Sequence, residues 1–242
     1  MEKIQFIIQV AGPGVRLVKH IHEPKVLARV GDKTVPEIIL ETIHDFCSGI
    51  VLITGANSEK VEAGYRKANE KFNIPMKIAY AEDWEEGNLI SFLASIPYLD
   101  RNFILWLGDT LVKKECFNGL FNSVSANPLQ NACFVQKVDP SQWKGKKATR
   151  VLLGETVRGV KAQSFSQTLQ NFNAIDVGVY LFDRETVYIA DECRKNQASS
   201  IVKFFDELAK TYDFEVSFLE PNEWININEL DDLMRAKELF GG

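Results

Sequence analysis

The sequence predicts an α/β fold built on a parallel sheet with helices packed against it, and three observations carry that prediction. Short apolar runs alternate with longer stretches of helical period through the first half of the chain. Those runs lack the polar alternation of a half-solvated strand, so each is expected to be buried on both faces. The 242 residues are 45% hydrophobic and 25% charged, the balance of a chain that folds around a core without disulfide staples.

Strands are predicted at Ile4 to Val10, Ile50 to Thr54, Met76 to Tyr80 and Phe103 to Leu107. Between them, Ile39, Ile43 and Phe46 fall at helical spacing, as do Val61, Tyr65, Ala68 and Phe72 behind an Asn57-Ser58 cap, and Leu89, Phe92, Leu93 and Ile96. After Asp109 the rhythm changes. Thr149 to Leu153, a Gly154-Glu155 turn and Val157 to Lys161 read as a hairpin. Val177 to Phe182 and Phe214 to Leu219 read as strands, Ile201 to Tyr212 and Glu229 to Phe240 as amphipathic helices. No linker, repeat or charge block interrupts the chain, so a single domain over 1–242 is expected, with a smaller mixed lobe in its second half.

Charge sets limits on partners. The 28 Lys+Arg against 33 Asp+Glu leave a net charge of −5, which gives no global attraction to nucleic acid or anionic lipid. An anionic ligand must be gripped locally. The start, Met1-Glu2-Lys3-Ile4-Gln5-Phe6, lacks the pattern of a secretory signal, and no apolar run approaches the roughly 18 residues of a membrane span, so the expected location is cytoplasmic without membrane insertion. Cys47, Cys116, Cys133 and Cys193 are far apart and form no CxxC, which reads as reduced, mostly buried thiols rather than a metal or disulfide framework.

The first strand runs directly into Val10-Ala11-Gly12-Pro13-Gly14-Val15-Arg16-Leu17. Ligands of open α/β sheets bind at the carboxyl ends of strands. Glycines there let backbone N–H groups close on phosphate oxygens, and Arg16 adds a planar fork of charged donors. The loop lacks the third glycine of a dinucleotide fingerprint and the GK[ST] of a P-loop. Pro24-Lys25 follows, then Val26 to Val30 and the Gly31 turn. This order resembles the AAGxGxRL…PKxLxxVxG signature of the nucleoside-triphosphate transferases that activate sugar phosphates. Gly108-Asp109 resembles the metal-binding GD of that family, and Trp224-Ile225-Asn226-Ile227-Asn228 with Asp231-Asp232-Leu233 resembles its WxDVDTxEDL, so the resemblance covers nearly the whole chain.

The resemblance implies a three-layer α/β/α fold of the glycosyltransferase-A type, with a nucleotide-binding region over about 1–112 and an acceptor lobe over about 113–242. It also implies Mg²⁺-dependent attack of a phosphorylated alcohol on the α-phosphorus of a nucleoside triphosphate, with loss of pyrophosphate. Positioning and charge dominate such a reaction. Backbone amides of Gly12 to Val15 and the Arg16 fork would face the β- and γ-phosphates, Lys25 the α-phosphate, and Asp109 the metal.

Glu86-Gly87-Asn88 with Ser91 and Phe92-Leu93 resembles the cytidylyltransferase branch, and a helix-opening Asn88 offers a donor and an acceptor to the edge of cytosine, or serves only as a cap. The hairpin followed by Ile175-Asp176-Val177-Gly178-Val179-Tyr180 resembles the acceptor lobe of the inositol-1-phosphate cytidylyltransferases. On that resemblance Asp176 and Gly178 meet acceptor hydroxyls and Lys161 the acceptor phosphate. CTP and inositol 1-phosphate are the favoured substrates. Phosphocholine stays open because Trp84, Trp143 and Trp224 could box a quaternary ammonium, as do the hexose-1-phosphate uridylyl-, thymidylyl- and guanylyltransferases. The residues after Asp109, Thr110 and Leu111, do not form the DxD of a nucleotide-sugar glycosyltransferase. Two departures stand out: Val10 replaces an alanine, and Asn226 replaces the second metal-binding Asp. The amide carbonyl is still an oxygen donor to Mg²⁺, but the lost charge leaves room for a nucleotide-binding protein that no longer catalyses.

Overall fold

The computed structural model describes residues 3–118, 120–121, 131–143, 147–157 and 159–241. Strand β1 (Ile4–Gln9) is buried along its whole length, its apolar residues accompanied by Gln5 and Gln9, whose amides donate to Tyr98 O at 2.9 Å and Asn88 O at 2.6 Å. The chain continues through α1 (Val15–Ile21), a two-strand clip of β2 (Arg29–Val30) and β3 (Lys33–Thr34), α2 (Val35–Ile43), β4 (Cys47–Thr54), α3 (Ser58–Asn69), β5 (Met76–Tyr80), α4 (Asn88–Leu93), β6 (Asn102–Leu107) and β7 (Thr110–Val112). The second half adds β8 (Asn131–Lys137), β9 (Arg150–Thr156), β10 (Gly159–Ser166), β11 (Ala174–Asp183), α5 (Tyr188–Lys195), α6 (Ile201–Thr211), β12 (Phe214–Phe218), β13 (Trp224–Asn226) and α7 (Leu230–Phe240).

Among the described residues nine strands form one sheet in the order β5-β4-β1-β6-β11-β8-β12-β10-β9. The first four are mutually parallel, as the βα alternation predicts; β11 then runs antiparallel to both β6 and β8, and β12 returns parallel to β8. The β9–β10 hairpin closes the far edge and curls back so that β9 also pairs with β11, Val151 against Ala174. Two small sheets, β2–β3 and β7–β13, stand beside this one.

Helices cover both faces, giving the three-layer α/β/α architecture. Along β1, Phe6 and Ile8 meet one core with Leu40 and Ile43 of α2, Tyr65 of α3 and Leu233 of α7. Ile7 meets the other, with Phe92 of α4, Ala190 of α5 and Phe204 of α6. A capping box starts α2: Thr34 Oγ1 accepts from Glu37 N, and the Glu37 carboxylate accepts from Thr34 N at 2.6 Å, which holds its pKa below the usual range.

Several elements differ from the sequence reading. β5 is an edge strand and only Ala79 within it is fully buried, so its outer side meets solvent rather than a further neighbour. Asn57 stands at the N-cap of α3 in the left-handed region and its side chain makes no capping bond. Phe46 and Phe72 lie just beyond their helices, and Ile96 begins a separate 3₁₀ turn. The hairpin strand runs through Gly154-Glu155 to Thr156, with Thr156 Oγ1 bonded to Gly159 O; Arg158 of this hairpin lies outside the described residues. α1, β8 and α5 were not predicted. All four cysteines are free thiols, three of them buried, and burial pushes the Cys47 thiol up to about 12. Among the described residues no helix is long and apolar enough to cross a membrane.

Candidate active site

The carboxyl ends of β1 and β6 open on the same side of the sheet, because the two strands pair in parallel with Gln9 against Leu107. The turn after β1 and the turn after β6 are tied by Gly108 N donating to Gln9 O at 3.0 Å. A side chain at Gly108 would meet Val10 Cγ1 at 2.3 Å, so Val10 tightens the packing at the base of the loop.

Gly14 adopts φ +59°, and a Cβ there would lie 2.6 Å from Lys25 Cβ. Glycine at this position therefore lets the loop turn into α1 and lets Lys25 pack against it. Gly12 is exposed and nothing lies within 4 Å of where its Cβ would be. Pro13 and Val15 are exposed, and Ala11 is buried with its carbonyl accepting from Ala56 N.

Asp109 follows β6, and its backbone carbonyl accepts from Ile227 N at 2.7 Å, which brings the β13 segment beside it. Asn226 is the last residue of β13 and faces Thr110 of β7 in the antiparallel register. Four sequence-predicted residues thus converge. Lys25 Nζ stands 2.5 Å from Asp109 Oδ2, Asn226 Nδ2 donates to Asp109 Oδ1 at 3.3 Å, and the Lys25 and Asp109 side chains are only 13% and 23% exposed. Arg16 joins through Asn228 Oδ1 at 3.0 Å and through an ion pair with Glu229 at 3.2 Å. Sequence reasoning passed over Asn228 and Glu229. The Asn-x-Asn spacing at 226 and 228 carried the signal, since alternate residues of extended chain share a face.

Asp176 lies at an irregularity of β11, where the register with β8 shifts between Asp176 and Tyr180. Its Oδ1 accepts from Gly178 N at 3.2 Å and its Oδ2 accepts from the Tyr180 hydroxyl. Burial raises the Asp176 carboxyl to about 6. Gly178 adopts φ +94° and a Cβ there would approach Thr110 Oγ1 at 3.0 Å. Thr110 in turn donates to Val177 O and accepts from Asn226 Nδ2 at 3.1 Å, so the Asp176 segment and the Asp109 segment share one hydrogen-bonded wall.

Three predicted residues are placed otherwise. Lys161 is buried and ion-paired with Asp213; it is in register with Glu215, Glu215 with Ala132 and Ala132 with Leu181, five residues along β11 from Asp176. Its ammonium is turned to Asp213. Ser91 is 2% exposed and its hydroxyl bonds back to Gly87 O at 3.2 Å, one helical turn away, so it presents nothing to a ligand. Asn88 is exposed, but Gly87 is the N-cap of α4, and Asn88 Oδ1 accepts from Ile201 N at 2.8 Å, capping the start of α6. One lone pair of that oxygen is taken up, which leaves the amide N–H donors for a ligand. Glu86 is exposed, and Gly87 at φ +138° leaves room for Ser199 O, which a Cβ would meet at 2.4 Å.

Comparison with solved structures decides the fold. The inositol-1-phosphate CTP transferase from T. maritima superposes over 100% of this chain and 98% of its own with a TM-score of 0.80 at 19% identity, and a UDP-glucose pyrophosphorylase in complex with UDP-glucose over 98% of each with a TM-score of 0.81 at 14% identity. The fold is that of the sugar-phosphate nucleotidyltransferases. A curated relative from Rubrobacter xylanophilus, a bifunctional IPC transferase and DIPP synthase, is 28% identical over 100% of this chain and 53% of its own length. One of the same description from Archaeoglobus fulgidus is 22% identical over 95% and 42%. The chain spans about half the length of the curated relatives it matches. No protein-family profile matches it. On the nucleotidyltransferase fold, the cluster of Arg16, Lys25, Asp109 and Asn226 sits at the carboxyl ends of the parallel strands.

Proposed function

We propose that the chain is a Mg²⁺-dependent cytidylyltransferase that joins CTP and inositol 1-phosphate, giving CDP-inositol and pyrophosphate. The observation that carries this reading is the convergence of two cations, one carboxylate and an amide from four separate segments: Arg16, Lys25, Asp109 and Asn226. Such a set suits a triphosphate. The names of the relatives support the choice of nucleotide and acceptor: IPC transferase for the two curated ones and inositol-1-phosphate CTP transferase for the structural neighbour.

In this reading an oxygen of the acceptor phosphate attacks the α-phosphorus, a new P–O–P bridge forms, and the bond to the bridging oxygen of the β-phosphate breaks with its electron pair leaving on pyrophosphate. Backbone N–H groups of Gly12, Gly14 and Val15 and the Arg16 guanidinium bind the β- and γ-phosphates. Lys25 balances charge at the α-phosphate. Glu86, Gly87 and the Asn88 amide border the base. Asp176 accepts from Gly178 N on one oxygen and from the Tyr180 hydroxyl on the other, and the remaining lone pairs keep acceptor capacity for hydroxyls of the polyol.

The donor set also fits the metal. Among the described residues no three His, Cys, Asp or Glu side chains cluster as a self-sufficient cage. Asp109 and the Asn226 carbonyl are hard oxygen donors, the incomplete set that Mg²⁺ accepts when substrate phosphates finish its shell. When bound, the ion neutralises charge developing on the phosphates. The nine-stranded sheet draws strands from both halves of the chain, which supports a single domain with the nucleotide-binding region over 1–112 and the acceptor lobe over 113–242. Cytoplasmic residence belongs to the same proposal and is supported by the four free thiols.

The test is pyrophosphate release with Mg²⁺, crossing CTP, UTP, ATP, GTP and dTTP with inositol 1-phosphate, phosphocholine, glucose 1-phosphate and mannose 1-phosphate. Release confined to CTP with inositol 1-phosphate is expected. Release with UTP or dTTP and a hexose 1-phosphate moves the assignment to another member of the fold. Silence in every pairing, with CTP still bound by calorimetry, replaces the catalyst with a nucleotide sensor.

A further inference from the structure

A closed ring of hydrogen bonds runs through four side chains of the site. Lys25 Nζ donates to Asp109 Oδ2 at 2.5 Å and to Asn228 Oδ1 at 3.1 Å. Asn226 Nδ2 donates to Asp109 Oδ1 at 3.3 Å, and Asn228 Nδ2 donates to Asn226 Oδ1, which closes the circuit. Arg16 Nη2 adds a second cationic donor to Asn228 Oδ1 at 3.0 Å.

The charged members fix the direction of every bond. A carboxylate only accepts, and an ammonium or guanidinium only donates. Asn226 must therefore turn its NH₂ toward Asp109, and Asn228 must turn its carbonyl toward Lys25 and Arg16; the oxygen left on Asn226 then meets the NH₂ left on Asn228. Both Asp109 oxygens and the Asn226 oxygen are engaged. A cation shared by Asp109 and Asn226 needs the opposite orientation of the Asn226 amide, with its oxygen on the Asp109 side.

We propose that Asn228 is a positioning residue that couples filling of the phosphate site to assembly of the metal site. This rests on the reading above that the ligand is a triphosphate. Phosphate oxygens draw Lys25 and Arg16 away from Asn228, and the Asn228 carbonyl loses both cationic donors. Its amide turns to offer that carbonyl to Asn226. The Asn226 NH₂ swings over to meet it and its oxygen swings toward Asp109, whose Oδ2 Lys25 has vacated. The movement is confined to side chains, because Asn228 N is held by Asp232 Oδ2 at 2.9 Å and Ile227 N by Asp109 O at 2.7 Å. Without nucleotide the ring keeps divalent cations out.

The test titrates the nucleotide-free protein with Mn²⁺, following free ion by electron paramagnetic resonance. Asn228→Ala removes a neutral side chain, so any change in cation affinity comes from the broken ring rather than from altered charge. Lys25→Met opens the ring on its other side. The expected result is Mn²⁺ binding at least ten-fold tighter in both variants than in the unaltered protein, and abolished when Asp109→Ala is added. Affinity of Asn228→Ala equal to or weaker than that of the unaltered protein, with the circular-dichroism spectrum unchanged, overturns the proposal; if that variant does not fold, equal affinity in Lys25→Met overturns it. Neither nucleotide nor acceptor is present, so a wrong substrate assignment leaves this result untouched, and failed pyrophosphate release counts only against the reading it rests on.

Discussion

Lys25 Nζ and Asp109 Oδ2 lie 2.5 Å apart although 84 residues separate them in the chain. The lysine comes from the short 3₁₀ turn Lys25–Leu27 and the aspartate from the end of β6, and both side chains are largely covered. Replacing either by Ala is expected to lower pyrophosphate release by at least about 10²–10³-fold. Loss of the half-buried pair should cost roughly 1–3 kcal/mol of stability, which leaves the chain folded. Initial rates and urea midpoints check both halves, and normal turnover in the two variants would sink the assignment.

Asp176 gives a pH dependence whose sign is set by burial. Its carboxyl titrates at about 6 in the folded protein against an ordinary value of 3.8, so the folded state holds the proton more tightly than the unfolded one. The stability this group supplies is full below the unfolded value and disappears as pH rises through about 6. Asp176→Asn should therefore gain on the unaltered protein between pH 4 and pH 7.5, by something on the order of 1–3 kcal/mol in thermal or urea unfolding. In the unaltered protein the acceptor KM should rise as pH falls below about 6, because the protonated carboxyl accepts fewer hydroxyls. An acceptor KM flat from pH 5 to 8 removes Asp176 from the acceptor site.

Lys161 and Asp213 form an unequal pair, with the lysine side chain 9% exposed and the aspartate 62%. Asp213→Ala strands a buried ammonium and should cost several kcal/mol, about 3 or more. Lys161→Met removes one partner of a largely exposed carboxylate and should cost less, about 0–1.5 kcal/mol. Neither should alter the KM for inositol 1-phosphate. A ten-fold rise in that KM for Lys161→Met would return the lysine to the acceptor site.

Two glycines of one loop should respond differently to alanine. Gly14→Ala forces a side chain into φ +59° and against Lys25 Cβ, so it should destabilise by about 1–3 kcal/mol. Gly12→Ala meets open space and should leave the unfolding midpoint unchanged while weakening CTP binding, because a methyl group stands where phosphate must approach. Calorimetry with CTP beside a urea titration separates the two effects.

The first half of the fold was legible because buried parallel strands leave apolar runs between helical stripes, as residues 50–53 of β4 and 103–107 of β6 do. β5 broke that rule: Met76 to Tyr80 is apolar enough to read as internal, and only sheet order shows that it has one neighbour. β8 was missed although Asn131-Ala132-Cys133-Phe134-Val135 is buried at every position, because this stretch lies past Asp109, where the regular alternation of strand and helix patterns ends. Of the site, Arg16, Lys25, Asp109 and Asn226 were readable since each sits in a short local motif. The distance of Lys161 from Asp176 was not legible, because local pattern says nothing about strand register, and register alone carries it to the far end of β11. The bonds of Asn88 to Ile201 and of Ser91 to Gly87 were not legible, because they depend on where α6 docks and on how α4 turns its faces.

Because β13 pairs with β7, the site is completed only long after Asp109 has been made. Asn226 follows Asp109 by 117 residues, and Asn228 comes after it. A ribosome can finish the first four parallel strands and expose the glycine loop well before the partners of Asp109 are made. The growing polypeptide therefore carries Lys25 and Asp109 as a bare pair until β13 emerges and settles in beside β7. A chain interrupted before that point holds the glycine loop without the asparagines that close the ring around Asp109.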